Sequence, residues 1–254
     1  MSLQACADLV WRGDPDRFRA AMSAPVAARR VLFPIFAFNV EVSRAPWVTE
    51  ETMIAEMRLQ WWRDALDEIA SGGPVRKHEV VGPLAAILDA TGAALLDDLV
   101  LARRWDVYRD PFPDTAAFEN YVERTSGDLT WVAARALGGR TRAPYQNLGY
   151  ATGVAGFLRA VPDLLGRGRV PLVQDDDAWI RATALSGLER LKSARQARRD
   201  VPRMTVPALR HGWQAGAVLR RAARRPEVVR KGGLAPSALS SRARMAWLAT
   251  TGGW

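Results

Sequence analysis

Apolar residues recur at helical spacing along almost the whole chain, and the alternation that marks a half-buried strand is scarce. The clearest stretch is Met53, Met57, Trp61, Ala65 and Ile69, one every four residues, with Ile54, Trp62 and Leu66 widening the stripe. It predicts a core-facing helix. Thr49 is placed to cap that helix, Glu50 and Glu51 sit at the positive end of its dipole, and Gly72, Gly73 and Pro74 end it. Further helices are predicted over 81–105 behind Gly82 and Pro83, and over 115–137 behind the capping Asp114. Others follow over 144–158, over 178–199 behind Asp175, Asp176 and Asp177, and over 207–225 and 237–249. Residues 110–114 read as a loop. Gly149, Gly153 and Gly156 lie on or near one face of the 144–158 helix, where small residues let another helix or a ligand approach closely. The expected fold class is all-α, with one domain over 1–254.

Composition narrows the picture. With 254 residues and 48% hydrophobic content, the chain is able to bury one sizeable core. The longest apolar run, 31–38, is interrupted by Pro34 and is far shorter than the roughly 20 residues a spanning helix needs. No basic segment precedes an apolar stretch at the start, so no secretory signal is expected, and a cytoplasmic setting follows. A lone Cys6 permits no internal disulfide; with only His78 and His211 beside it, no Cys/His zinc site is expected. His211 has no carboxylate or cysteine neighbour in sequence and His78 has only Glu79 beside it, so no base or triad is expected.

The net charge of +9 is unevenly placed: residues 190–244 carry +13 and the rest −4. The basic helices expected over 190–249 suit phosphates, lipid headgroups or simply a solvated arginine surface. Within 209–225, Leu209, Trp213, Val218 and Leu219 alternate with five arginines. That pattern fits a helix lying on an anionic membrane and equally the basic outer helix of a bundle. Trp213 is the one clear stacking group there, so no nucleic-acid partner is expected.

Two stretches carry candidate chemistry. Phe36, Ala37 and Phe38 open one, and Arg159 through Gly168 and Arg169 span the other. In order and spacing they resemble the squalene/phytoene synthase family, over roughly residues 10–225. The resemblance implies an isoprenoid-synthase-like helical bundle around a central cavity. In that family two prenyl diphosphates are joined head to head, with magnesium held by two aspartate-rich motifs. Counting on from Phe36, the first motif's aspartates would fall at Ser43, Arg44 and Trp47, and none is acidic. The second motif's acids would fall at Ala160, Asp163 and Leu164, so one of three survives, while Gln and Asn upstream become Gly153 and Gly156. Asp106 and, fifteen residues on, Tyr121 match further family positions.

Ala37 through Glu41, Met57 through Arg63, and Leu158 through Pro162 are similar, in that order, to the subgroup that includes the mitochondrial assembly factor for respiratory complex I. Without a transit-like start, the chain resembles a bacterial member. The resemblance thus implies a non-catalytic protein acting on complex I subunits or assembly intermediates, peripheral to the inner face of the cytoplasmic membrane. It needs no cofactor, and magnesium enters only if the alternative holds. That alternative is an active head-to-head prenyltransferase; a lipid- or isoprenoid-binding module without turnover is a third. Magnesium is usually held by one or two carboxylates plus substrate phosphates, whereas arginines alone bind phosphates bidentately with less Lewis acidity. Arg159, Arg167 and Arg169 are therefore candidates for a residual anion site, weighed against ordinary surface ion pairs. Asp97 and Asp98 sit eight or nine residues before Asp106, the wrong phase for one clamp, and Asp175–Asp177 read as a cap. Trp61 and Trp62 suit an apolar cavity wall or, more simply, core.

Overall fold

The computed structural model describes residues 3–49 and 51–235, together with Trp247, Leu248, Thr250, Thr251, Gly253 and Trp254. Glu50 and most of the expected 237–249 helix lie outside the described residues. Within them there is no strand. The chain opens with α1 (Leu3–Gly13), α2 (Pro15–Met22), α3 (Val26–Arg44), α4 (Thr52–Ser71), α5 (Val81–Ala85) and α6 (Ala90–Arg103). It continues with α7 (Thr115–Val122), α8 (Asp128–Ala136), α9 (Ala143–Gly166), α10 (Asp177–Gln196), α11 (Val206–Leu209) and α12 (Ala215–Arg224).

Caps account for several of these boundaries. Asp14, Asp89, Asp114 and Asp176 each accept a hydrogen bond from a backbone N–H three residues on, at 2.6 to 2.9 Å. The Asp89 cap divides the predicted 81–105 helix: α5 ends at Ala85 and α6 restarts at Ala90. The predicted 207–225 helix is likewise interrupted, by a 3-10 turn at Arg210–Gly212 between α11 and α12. By contrast α9 outruns its predicted end by eight residues, passing through Pro162. Thr49 does not cap α4; its hydroxyl accepts from the Glu51 N–H at 3.1 Å and the helix starts at Thr52.

The predicted face of α4 is also displaced. Met53 and Met57 are 71% and 65% exposed, whereas Ala55, Leu59, Trp62, Leu66 and Ile69 face the core. Steps of four residues overshoot a 3.6-residue turn by about 40° each, so a stripe built only of fours winds round the helix. The buried set alternates steps of four and three and stays on one side. Trp62 packs edge-on against Phe38 and His78, which is a core role.

α9 is the central element: α8, α10 and α12 all pack on it. α7 and α8 are joined by a π-helical segment, Glu123–Gly127, which also rests on α9. Gly149 and Gly153 make that contact possible. A Cβ on Gly149 would lie 2.5 Å from the Ser126 carbonyl oxygen, and one on Gly153 2.7 Å from the Ser126 and Val122 side chains. Gly156, one turn further, faces open space. The 107–114 loop is pinned by Phe112, which stacks on Trp105 at 3.9 Å between ring centres and meets Phe118 and Tyr121 edge-on.

The apolar residues of the 209–225 stretch face inward. Leu209, Trp213, Val218 and Leu219 are all buried, and so is Arg210, which donates to the Ser23 carbonyl. That face is spent on the bundle and is not available to a membrane; what α12 shows outward is Arg220, Arg221 and Arg224. No helix among the described residues is long and apolar enough to cross a membrane.

Candidate functional site

A half-open cavity of about 350 Å³, the inner cavity, lies between α3, the end of α6, the α7–π segment and α9. The family-motif positions of two distant stretches meet on its wall: Ser43, Arg44 and Trp47 from one, Ala160 and Leu164 from the other, with Gly153 and Gly156 between them. Asp163 points elsewhere: it is exposed and is not part of the wall.

On the same wall Arg103, Asp106 and Tyr121 form a closed polar unit. One Arg103 terminal nitrogen donates to Asp106 Oδ2 at 3.0 Å and to Tyr121 Oη at 2.7 Å, and Tyr121 Oη donates to Asp106 Oδ1 at 2.9 Å. Asp106 is 7% exposed, so the carboxylate is held by these partners rather than by water. Burial pushes the Tyr121 phenol well above its ordinary pKa, and it acts as a donor. α6 brings Arg103 and the following turn brings Asp106, while α7 lays Tyr121 across them.

The other candidate arginines do not gather here. Arg167 and Arg169 line an outer groove of about 730 Å³ and stack on Trp47, their guanidinium carbons 4.8 and 5.3 Å from its ring centre. Arg169 is buried and donates to the Tyr108 and Asp106 backbone carbonyls, so it ties down the 106–109 turn; burial lowers its pKa. Trp47 lines both spaces and stands between them. Arg159 lies on a third, smaller pocket of about 130 Å³, paired with Asp16 at 3.2 Å and Gln214 at 3.0 Å. The three arginines proposed for one anion site are thus spread over two separate spaces.

That small pocket holds groups the sequence did not signal. His211 is buried, and its Nε2 lies 2.9 Å from Thr130 Oγ1. Thr130 itself donates to the Ser126 carbonyl at 2.8 Å, which makes Nε2 the protonated ring nitrogen and leaves Nδ1 without a partner. Burial lowers the His211 pKa to about 3, with Arg17 adding to the fall and Asp14 opposing it. For Asp14, burial acts upward, but Arg17 and its backbone N–H hold the carboxyl below the usual range. Arg17 and Gly156 line both this pocket and the inner cavity, so the two adjoin. Only the folded contact of α2, α8 and the 210–212 turn assembles this group; no spacing along the chain could have found it.

A magnesium ion of the kind the family uses needs carboxylates facing one another across the cavity. The wall offers Asp106, already engaged by Arg103 and Tyr121, while the motif positions present a hydroxyl, a guanidinium, an indole and two aliphatic groups. A guanidinium at Arg44 repels a cation where an aspartate would attract it. Among the described residues no group of three or more His, Cys, Asp or Glu side chains is placed to hold a metal ion. The residues present do not fit the metal. Asp97 and Asp98 are engaged outside the cavity, by Arg63 at 2.8 Å and Arg124 at 2.8 Å.

The squalene/phytoene synthase family model matches residues 10–240. A Drosophila melanogaster protein named NADH dehydrogenase (ubiquinone) complex I, assembly factor 6 homolog is 32% identical over 178 residues, covering 66% of this chain and 53% of that protein. The Bos taurus and Homo sapiens assembly factor 6 proteins are 26% and 25% identical over 175 residues, each covering 67% of this chain and 52% of the relative. The chain therefore spans about half the length of these relatives. Among solved structures, a dehydrosqualene synthase superposes with a TM-score of 0.65 at 14% identity, covering 98% of this chain and 95% of that one. Squalene synthase HpnC from Alicyclobacillus acidocaldarius superposes with a TM-score of 0.61 at 13% identity, covering 98% and 94%. At such identities the structural likeness concerns the fold alone.

Proposed function

The chain belongs to the squalene/phytoene synthase family, and we infer that within it this protein has kept the helical cavity, given up the reaction, and serves in assembly or maturation of respiratory complex I. One observation carries the non-catalytic part. The motif positions of α3 and α9 and the turn after α3 meet on a single cavity wall and bring no carboxylate to it. Ionising a prenyl diphosphate depends on a metal clamp that neutralises the departing charge, and arginines supply less of that polarisation. The complex I part rests on the names of the relatives. The strongly basic 190–244 region supports a peripheral position against an acidic partner or the inner face of the cytoplasmic membrane.

The test pairs two measurements. Purified protein is offered farnesyl and geranylgeranyl diphosphate with magnesium, and the expected result is no product. Membranes from cells lacking the gene are resolved by native electrophoresis, and the expected result is loss of mature complex I with accumulation of subcomplexes. Product formation, or a normal complex I profile, would overturn the corresponding half. The surviving Arg103–Asp106–Tyr121 unit favours a second reading, a magnesium-dependent head-to-head prenyltransferase. That reading requires turnover that disappears in Asp106→Asn.

A further inference from the structure

The inner cavity carries an arginine, Arg44, where the family resemblance expects an aspartate, and the way its arginines are paired narrows what it accepts. Arg17, Arg44 and Arg103 all line it. Arg17 is matched by Asp14 at 2.5 Å and Arg103 by Asp106 at 3.0 Å. Arg44 reaches Glu41 only at 3.8 Å, with its side chain 53% exposed, and so contributes about one weakly compensated positive charge. Arg17 Nε and Arg103 Nε are buried beneath the wall surface, so these two side chains serve their acids and leave Arg44 as the guanidinium open to a ligand.

The hydroxyls on the wall have little to give. Ser43 donates to the Val40 carbonyl, Thr125 to Tyr121, Ser126 to Gly149 and Thr152 to Leu148, at 2.7 to 3.1 Å. The remaining donor capacity is therefore arginine N–H, which suits an oxyanion. The rest of the wall, with Trp47, Val122, Phe157 and Leu164, is apolar, and Gly156 borders open space. A volume of about 350 Å³ is at the small end for ligand cavities, room for one chain rather than two.

We propose that this cavity binds a single-chain carboxylate lipid, its head group matched by Arg44, with no divalent metal. A monoanion balances one loosely held arginine. A diphosphate brings several charges that this wall does not neutralise without a metal. The inference deepens the non-catalytic reading of the same cavity and rests on it.

Calorimetric titration of the purified protein in EDTA with dodecanoate and with dodecanol tests the idea, because the two differ only in the head group. Dodecanoate should bind at least tenfold tighter than dodecanol, and shortening the acid should weaken binding roughly fourfold per methylene. Arg44→Gln, a change at an exposed side chain, should erase the preference for the acid while leaving dodecanol binding unchanged. Gly156→Leu, whose added Cβ meets nothing within 4 Å, should weaken both ligands tenfold or more by filling the cavity. Equal binding of acid and alcohol, a preference that survives Arg44→Gln, or indifference to Gly156→Leu would each overturn the proposal. Farnesyl diphosphate with magnesium, run on the same samples, separates the two levels. Turnover sinks the non-catalytic reading, whereas failed dodecanoate binding without turnover sinks only this inference.

Discussion

Asp106 is the side chain on which the cavity wall depends most. Its two oxygens satisfy Arg103 and Tyr121, and its own backbone carbonyl receives Arg169. Replacing it with Ala leaves Arg103 buried without its acid, a change that costs about 3–5 kcal/mol in comparable buried pairs. Tyr121→Phe removes one donor and should cost about 1–3 kcal/mol. Urea unfolding of the two variants should reproduce that order, and equal losses would mean that the unit does not hold Arg103 as described. His211 gives a second residue-scale prediction. Its folded pKa of about 3 lies below the roughly 6.5 of an unfolded chain, so the unfolded state takes up the proton first as pH falls. Stability is therefore fully present above about pH 6.5 and declines below it, by up to about 1.4 kcal/mol per pH unit. His211→Gln should flatten that slope between pH 6.5 and 5, where carboxylates hardly titrate. A family spacing singles out Ser43, Arg44, Trp47, Ala160 and Leu164 in the sequence, and all five line one cavity. Nothing in the sequence showed that Trp47 would be stacked by Arg167 and Arg169, since that contact joins segments 120 residues apart and depends on how the 167–169 turn folds back.

At the scale of elements, the glycines of α9 divide into two kinds. Gly149 meets backbone atoms of the π segment, so Gly149→Ala must push that segment away and should cost about 2–4 kcal/mol. Gly156→Ala meets nothing and should gain up to about 1 kcal/mol from helix propensity alone. Thermal denaturation should move in opposite directions for the two; a shared sign would contradict the packing. The sequence put all three glycines on one face, which is correct, but only the neighbouring helix decides which are crowded. α4 teaches the complementary lesson. Apolar residues at four-residue steps gave the right helix and, from Trp62 onward, the right face, but misplaced its first turns, because Met53 and Met57 are apolar yet lie beyond the drift that the core tolerates. The interruption between α5 and α6 was missed in the sequence, because the Asp89 cap sits inside what reads as one continuous apolar pattern.

For the whole molecule, the all-helical architecture was legible because nearly every apolar residue follows helical spacing and the punctuating Gly, Pro and Asp residues fall between those runs. If the cavity has no use for a divalent ion, the protein's melting temperature should be the same in EDTA and in magnesium, and magnesium with farnesyl diphosphate should add no stabilisation. A rise on adding both would show a coupled site.

The π segment between α7 and α8 has a consequence for how this chain tolerates change in length. A π turn holds one residue more than the α turn it replaces, so removing a single residue within 123–127 would locally improve the hydrogen-bond ladder. Because both turns close about one full rotation, the helix on either side would keep its phase. Tyr121, on one side, must face Asp106, and Thr130, on the other, must face His211. A one-residue deletion there regularises the helix and keeps both pairs facing, so the segment should tolerate the loss of one residue better than the α-helical turns beside it, where the same deletion rotates the flanks by about 100°.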